Sequence, residues 1–328
     1  METEVVTALA KAAVVLSIAT VVGLPYLAWV EGRVEAAVNR RKGPHRVGWF
    51  GVLQPWADAL KLLSKSIPSA SIPSGAGMNV AAVAAFVPPV LILAVIPFGS
   101  SPLADLHATL MYIAAVAGFA VHGHLLAAWA QRSDQSLLTA LQAVARTVSC
   151  VAALGLTLLA AATSYSTLRL SEIVAHQSAV AEGVLSISSL EVWGVATQPL
   201  GFLIYLAVAI SMVERGAESS RASAVHLLLL SGARGLQLIA LAAVGVAIYL
   251  GAGHLSEGIS VAPVAQLAQL AGAVFALKTA LVLFLMSLMR AAIFRLGIDG
   301  FIGFGWKLLV PAAALNLLLT AALIAVAG

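Results

Sequence analysis

The chain has 328 residues, of which 61% are apolar and only 10% charged, with a mean hydropathy of +1.01 and a formal charge of +4. So little polar surface cannot cover the apolar interior of an ordinary water-soluble domain. A single cysteine, Cys150, excludes an internal disulfide and leaves no thiol cluster for zinc or an iron–sulfur centre.

Apolar stretches of about 20 residues can cross a bilayer as helices. Eight occur, at 5–30, 79–98, 105–130, 136–163, 195–213, 222–252, 262–289 and 306–327. Because lipid cannot satisfy backbone polar groups, each span must pair its own, which only a helix does here. The expected fold is therefore all-α: one integral-membrane domain over 1–328, a polytopic bundle of eight transmembrane helices with amphipathic surface helices. Glu2 and Glu4 precede the first stretch where a cleavable signal would need positive charge, so that stretch reads as a span.

The first polar loop, 31–78, holds seven of the 18 basic residues: Arg33, Arg40, Arg41, Lys42, Arg46, Lys61 and Lys65. Within it, residues 49–65 set Phe50, Leu53, Trp56, Leu60 and Leu63 at helical spacing, with Asp58, Lys61 and Lys65 on another side. That pattern predicts a helix lying in the membrane interface. The run Ser66 to Gly75, rich in Ser, Pro and Gly, reads as a connector. Pro88-Pro89 should kink the second span, and 168–187 forms a second, weaker amphipathic segment. After the fifth span only a short polar loop, 214–221, remains.

Loop charges set the orientation. The odd loops carry 13 Lys and Arg, whereas the even loops carry Arg169 alone. The positive-inside rule then puts the odd loops in the cytoplasm and both termini on the opposite side of a bacterial cytoplasmic (inner) membrane. The same distribution makes the net positive charge a topology signal, and no nucleic-acid partner is implied.

Arg146, Arg234 and Lys278 fall well inside spans, and no span holds an Asp or Glu in its interior. A buried cation costs at least ~2.5 kcal/mol on insertion scales, so each needs a polar cavity, an acidic partner from a neighbouring chain, or backbone carbonyls at a helix break. His122 and His124 are two residues apart, diverge on a helix, and are poorly placed to share a metal.

The loop's order carries a resemblance. Glu31-Gly32-Arg33, then Arg40-Arg41-Lys42-Gly43-Pro44-His45-Arg46-Val47-Gly48, then Leu53-Gln54-Pro55-Trp56-Ala57-Asp58-Ala59-Leu60-Lys61 resemble three consecutive motifs of the H-subunit (subunit 1) family of NADH–quinone oxidoreductase, respiratory complex I. Further matches follow in family order: Ala94 to Gly99, Ala104-Asp105-Leu106, Ala128-Trp129, Ala276-Leu277-Lys278-Thr279, Arg290-Ala291 and Gly305 to Pro311.

The resemblance implies a membrane-arm subunit, not catalytic alone, that anchors the hydrophilic electron-transfer arm. It implies partners among the other membrane-arm subunits and the iron–sulfur and quinone-site subunits of that arm. Quinone is the implied ligand, shared with those neighbours, and no cofactor is held by this chain alone. Candidates for the quinone path are Glu31, Arg33, Arg46, Phe50, Trp56, Asp58, Lys61, Arg290 and Arg295, with Phe50 and Trp56 nearer lipid and Arg46 and Asp58 deeper. Arg146, Arg234 and Lys278 are candidates for an intramembrane polar axis. The same fold serves membrane-bound hydrogenases and formate hydrogenlyases, so an anchor in such a complex is the alternative, and an independent transporter a weaker one.

The chain also departs from the family's pattern. The long acidic segment expected after the fifth span is cut to Met212 to Arg221. Val151 stands where a buried glutamate is expected, and Gly232-Ala233-Arg234 replaces another. These departures imply a divergent member whose proton pathway is altered or lost.

Overall fold

The computed structural model describes residues 2–65, 75–98, 102–181, 193–213, 223–253, 271–293 and 303–327. The described residues are overwhelmingly helical and include no strand. Seven helices among them are long and apolar enough to cross a membrane. The stretch expected as the fifth span, 195–213, is instead broken into a single turn, α9 (Gly194–Thr197), and a 14-residue helix, α10 (Pro199–Met212). At ~1.5 Å per residue α10 is about 21 Å long, short of the ~30 Å hydrocarbon core. The cause is local: Pro199 has no N–H to continue α9 and a fixed φ suited to starting a new helix.

The first span runs farther than hydropathy suggests. Helix α1 (Glu2–Ser17), a π-helical turn (Ile18–Gly23) and α2 (Leu24–Val38) follow without a break, and α2 ends only at Asn39 and at Arg40, whose φ is +52°. Glu31 and Arg33, read from sequence as the start of the loop, are therefore helical residues. The π turn has a reason. Pro25 would clash with the carbonyl one turn earlier, and a widened turn just ahead of it relieves that clash. The last span repeats the device, with a π turn (Gly305–Leu309) directly before the helix α13 (Val310–Ala327) that carries Pro311. Helix α4 (Gly75–Ala94), by contrast, stays helical through Pro88 and Pro89.

The remaining elements are α3 (Gln54–Ser64), α5 (Thr109–Phe119), α6 (Val121–Ala130), α7 (Asp134–Tyr165), α8 (Leu170–Ala181), α11 (Ala224–Tyr249) and α12 (Ala271–Ile293). Helices α3 and α8 are the two expected amphipathic segments. The interface helix expected over 49–65 begins only at Gln54, because Gly48, Phe50 and Gly51 all have positive φ. Gly51 also passes so close to Pro44 that a Cβ there would lie 2.2 Å from its carbonyl oxygen.

Helices α10 and α11 form the centre, with Tyr205, Leu206, Val208, Leu241, Val244 and Val246 buried. A second cluster joins α4, α6 and α11 through Met78, Ala81, Ala85, Ala127, Ala130 and Ala233. Lipid is as apolar as a side chain, so helices associate by close van der Waals contact, which small residues permit. The outward faces of α1 and α13 carry exposed Val6, Leu9, Val14, Leu315, Leu318 and Leu323.

Candidate functional site

The basic loop, the α6–α7 turn and the ends of α10 and α12 gather on one face of the bundle, called here the basic face. There, α3 lies across α2 and α11. Its exposed Leu53, Leu60 and Leu63, with Trp49 and Phe50 ahead of it, form an apolar fringe. Beneath α3 is a cavity of about 590 Å³. Pro55, Trp56 and Ala59 of α3 line its mouth, Thr20, Leu24 and Leu238 its inner end, and Ser231, Gly232, Arg234 and Gly235 the α11 wall. Thr20 and Glu31 are separated by about 16 Å of helix at ~1.5 Å per residue, so the cavity penetrates roughly half the hydrocarbon depth.

One wall carries an ion pair. Arg290 of α12 donates from Nη1 to Glu31 Oε1 at 2.7 Å and from Nη2 to the Val213 carbonyl at 2.5 Å. The two side chains are 10% and 13% exposed. A guanidinium suits this position, since it stays charged and offers several donors in one plane to a carboxylate and a helix-end carbonyl together. Both charges are thereby neutralised where neither could be left alone. The link ties the ends of α2, α10 and α12 together around the cavity's basic-face end.

The predicted site residues divide. Glu31, Trp56, Arg234 and Arg290 meet at the cavity. Arg33 and Phe50 are brought together outside it. Arg33 Nη2 and Trp29 Nε1 both donate to the Phe50 carbonyl, the latter at 3.1 Å, and the Arg33 guanidinium lies 5.4 Å from the Trp29 ring centroid and 5.7 Å from that of Phe50. This knot fastens the loop's strained Phe50 turn, φ +55°, to the end of α2. Asp58 and Lys61 sit on the exposed side of α3, where Gln54 donates to Asp58 Oδ1 at 3.1 Å, and Arg46 is exposed in the loop. None of these three lines the cavity. Arg295 lies outside the described residues.

The intramembrane cations also separate. Lys278 of α12 donates to the Leu250 carbonyl at 2.6 Å and stands 4.7 Å from the Trp193 ring centroid. It thus sits on the C-terminal carbonyls of α11, where helix geometry leaves acceptors free and the dipole favours a cation. Arg146 is buried in α7, within electrostatic range of Arg290. His122 stacks on Phe119, whereas His124 reaches the Leu230 carbonyl at 3.4 Å, so the two histidines diverge.

The cavity and its α3 cover are built from the very segments that carry the three loop motifs, and comparison with known proteins agrees. The family model described as NADH dehydrogenase matches residues 10–217 and 222–321. The chain belongs to the H-subunit family of NADH–quinone oxidoreductase. The match is interrupted at 218–221, inside the loop that sequence marks as shortened. One of two numbered NADH-quinone oxidoreductase H subunits of Geobacter sulfurreducens, number 2, is 34% identical over 322 residues, 90% of each chain. The H subunit of Bacillus cytotoxicus is 34% identical over 94% of this chain and 92% of its own, and that of Dehalococcoides mccartyi 33% identical over 89% and 80%.

Sequence reasoning missed the role of α11 in the cavity of this family member. Ser231, Gly232 and Gly235 form its wall, and their only signal was a small-residue run next to Arg234 in an otherwise bulky apolar span.

Proposed function

We propose that the cavity beneath α3 is this chain's part of a quinone chamber, and that the chain anchors the electron-transferring arm of a complex I-type oxidoreductase to the membrane. In this reading the basic face is cytoplasmic, both termini lie across the membrane, and the arm's iron–sulfur and quinone-site subunits close the chamber from above. The carrying observation is the cavity: apolar at its mouth, about 590 Å³ in volume, and walled by Glu31, Ser231, Arg234 and Arg290. An isoprenoid quinone arrives from lipid, which favours a mouth fringed by Leu53, Trp56 and Leu60. Its two carbonyl oxygens accept hydrogen bonds, and Ser231 and Arg234 supply O–H and N–H groups on the wall. Reduction to quinol consumes two electrons and two protons, and the electrons reach the chamber from the arm above it.

The relatives' names favour this reading over a hydrogenase or formate hydrogenlyase anchor. Val151 and Arg234, at positions where the family pattern has glutamates, support an altered proton route alongside the chamber, because an arginine cannot release a proton to pass it on.

The test is to fill the cavity. In the intact complex, Ala59→Trp at the mouth and Ala28→Trp on α2 should each raise KM for quinone by about tenfold, or lower turnover, while the complex still co-purifies. Unchanged quinone kinetics in both assembled variants would refute the chamber.

A further inference from the structure

On the side of the bundle away from the basic face, the break before α10 leaves polar groups inside the membrane. Gln198, 6% exposed, sits at the break. Its Nε2 donates to the Ala160 carbonyl at 2.9 Å, to Thr320 Oγ1 at 3.1 Å and to Ser164 Oγ. Because Ala160 contributes only an acceptor, the amide's orientation is determined, and Oε1 is an acceptor. Among the described residues that Oε1 has no hydrogen-bond partner, and neither has Nδ2 of Asn316, which is 4% exposed on α13.

An orphaned acceptor and an orphaned donor thus face one another across the same small space. The space is the one left by Gly201, where a Cβ would lie 3.1 Å from Gln198 Oε1 and 3.0 Å from Asn316 Nδ2. The two amides are complementary yet not bonded. Leaving both unsatisfied costs about 1–3 kcal/mol each, and no bulk water reaches hydrocarbon to compensate.

The pattern occurs a second time, near the end of α11. Gln177 Nε2 donates to the Ile248 carbonyl at 2.5 Å and to Tyr165 Oη at 3.0 Å, which leaves its Oε1 without a partner among the described residues. That oxygen lies 3.3 Å from the Cβ position missing at Gly251, and Trp193 Nε1, an N–H donor, lies 3.5 Å from the same point.

We propose that the broken fifth membrane helix is a water-binding site, with one ordered water bridging Asn316 Nδ2 to Gln198 Oε1 beside Gly201 and a second bridging Trp193 Nε1 to Gln177 Oε1 beside Gly251. Water is the ligand these groups specify. It accepts from the one and donates to the other, it fits where a side chain is absent, and buried polar pockets with two or more partners hold it. A cation is disfavoured because the Asn316 and Trp193 groups are N–H donors. The bridges complete the hydrogen bonding of the break and stitch α10 to α7 and α13, and α8 to the end of α11. This site is independent of the quinone reading.

The experiment is cryo-electron microscopy of the whole complex in lipid nanodiscs at a resolution that shows water, with thermal unfolding of the complex carrying Asn316→Leu. The expected result is a peak within hydrogen-bond distance of both Gln198 Oε1 and Asn316 Nδ2, and a lower unfolding midpoint for Asn316→Leu, which strips the bridge and leaves Gln198 Oε1 dry. Gly201→Ala should abolish the peak by occupying its space. A direct Gln198–Asn316 hydrogen bond with no peak would overturn the proposal, as would a raised midpoint for Asn316→Leu, since removing a dry orphan amide relieves a penalty. Should a variant fail to assemble, the wild-type map decides alone.

Discussion

The basic-face half and the opposite half of this bundle both bury polar groups, and they solve the problem differently. Near the basic face the groups are charged, and Arg290 compensates Glu31 and a helix-end carbonyl in one contact. In the opposite half they are neutral amides and hydroxyls: Gln198, Ser164, Thr320 and Asn316 around a helix break. An ion pair beside a cavity offers a strong, switchable field to a ligand that changes charge during reduction. Neutral groups hold structure, are indifferent to pH, and move no charge across the membrane. The contrast teaches that polarity inside a membrane protein is not by itself a sign of chemistry; its charge and its neighbouring space decide.

Breaking the ion pair tests the charged half most severely. Arg290→Met leaves Glu31 buried without its cation, and one-sided removal of a buried pair costs about 3–5 kcal/mol. The complex should lose stability or fail to assemble, as thermal unfolding and co-purification would record. Glu31→Gln combined with Arg290→Met should recover much of that loss. If the double variant is no better than the single, the pair is not the cause.

Lys278→Met comes next. It removes a charged hydrogen bond to the Leu250 carbonyl and the contact with Trp193, together worth about 1.5–3 kcal/mol for a charge-assisted bond. The expected outcome is a lower unfolding midpoint with unchanged KM for quinone. A large change in quinone kinetics at full stability would move Lys278 from a helix cap into the reaction path.

Arg33→Ala should act locally. Releasing the Phe50 carbonyl and the two aromatic rings frees the turn at Trp49 to Gly51. Limited proteolysis of the complex should then cut faster between residues 40 and 52, with little change in overall unfolding. The smallest effect belongs to Asp58→Asn. Asp58 is exposed and meets only Gln54 among the described contacts, so stability should stay within about ±0.5 kcal/mol. Quinone KM should follow Ala59→Trp and not Asp58→Asn; the reverse would transfer the path from the inner to the outer side of α3.

Hydropathy, loop charge and the ordered motifs from Glu31 to Lys61 sufficed for the helical membrane fold, the family and the amphipathic α3. These properties are local or summed along the chain: a span announces itself by its own length and composition, and a surface helix by its own periodicity. Sequence also told which residue types were anomalous, as with Gln and Arg in apolar stretches, but not what each one meets. That Glu31 would leave the loop, join a helix and find Arg290, 259 positions away, depended on how α2 and α12 pack. Asp58 and Ala59 are adjacent in sequence, yet only the rotation of α3 over α2 and α11 turns Ala59 to the cavity and Asp58 to the surface. The break at Pro199 was written in the chain, while the gap that Gly201 opens between Gln198 and Asn316 exists only because α10 and α13 approach there. Partners across a bundle are chosen by helix rotation and contact between distant segments, and a one-dimensional pattern does not carry that information.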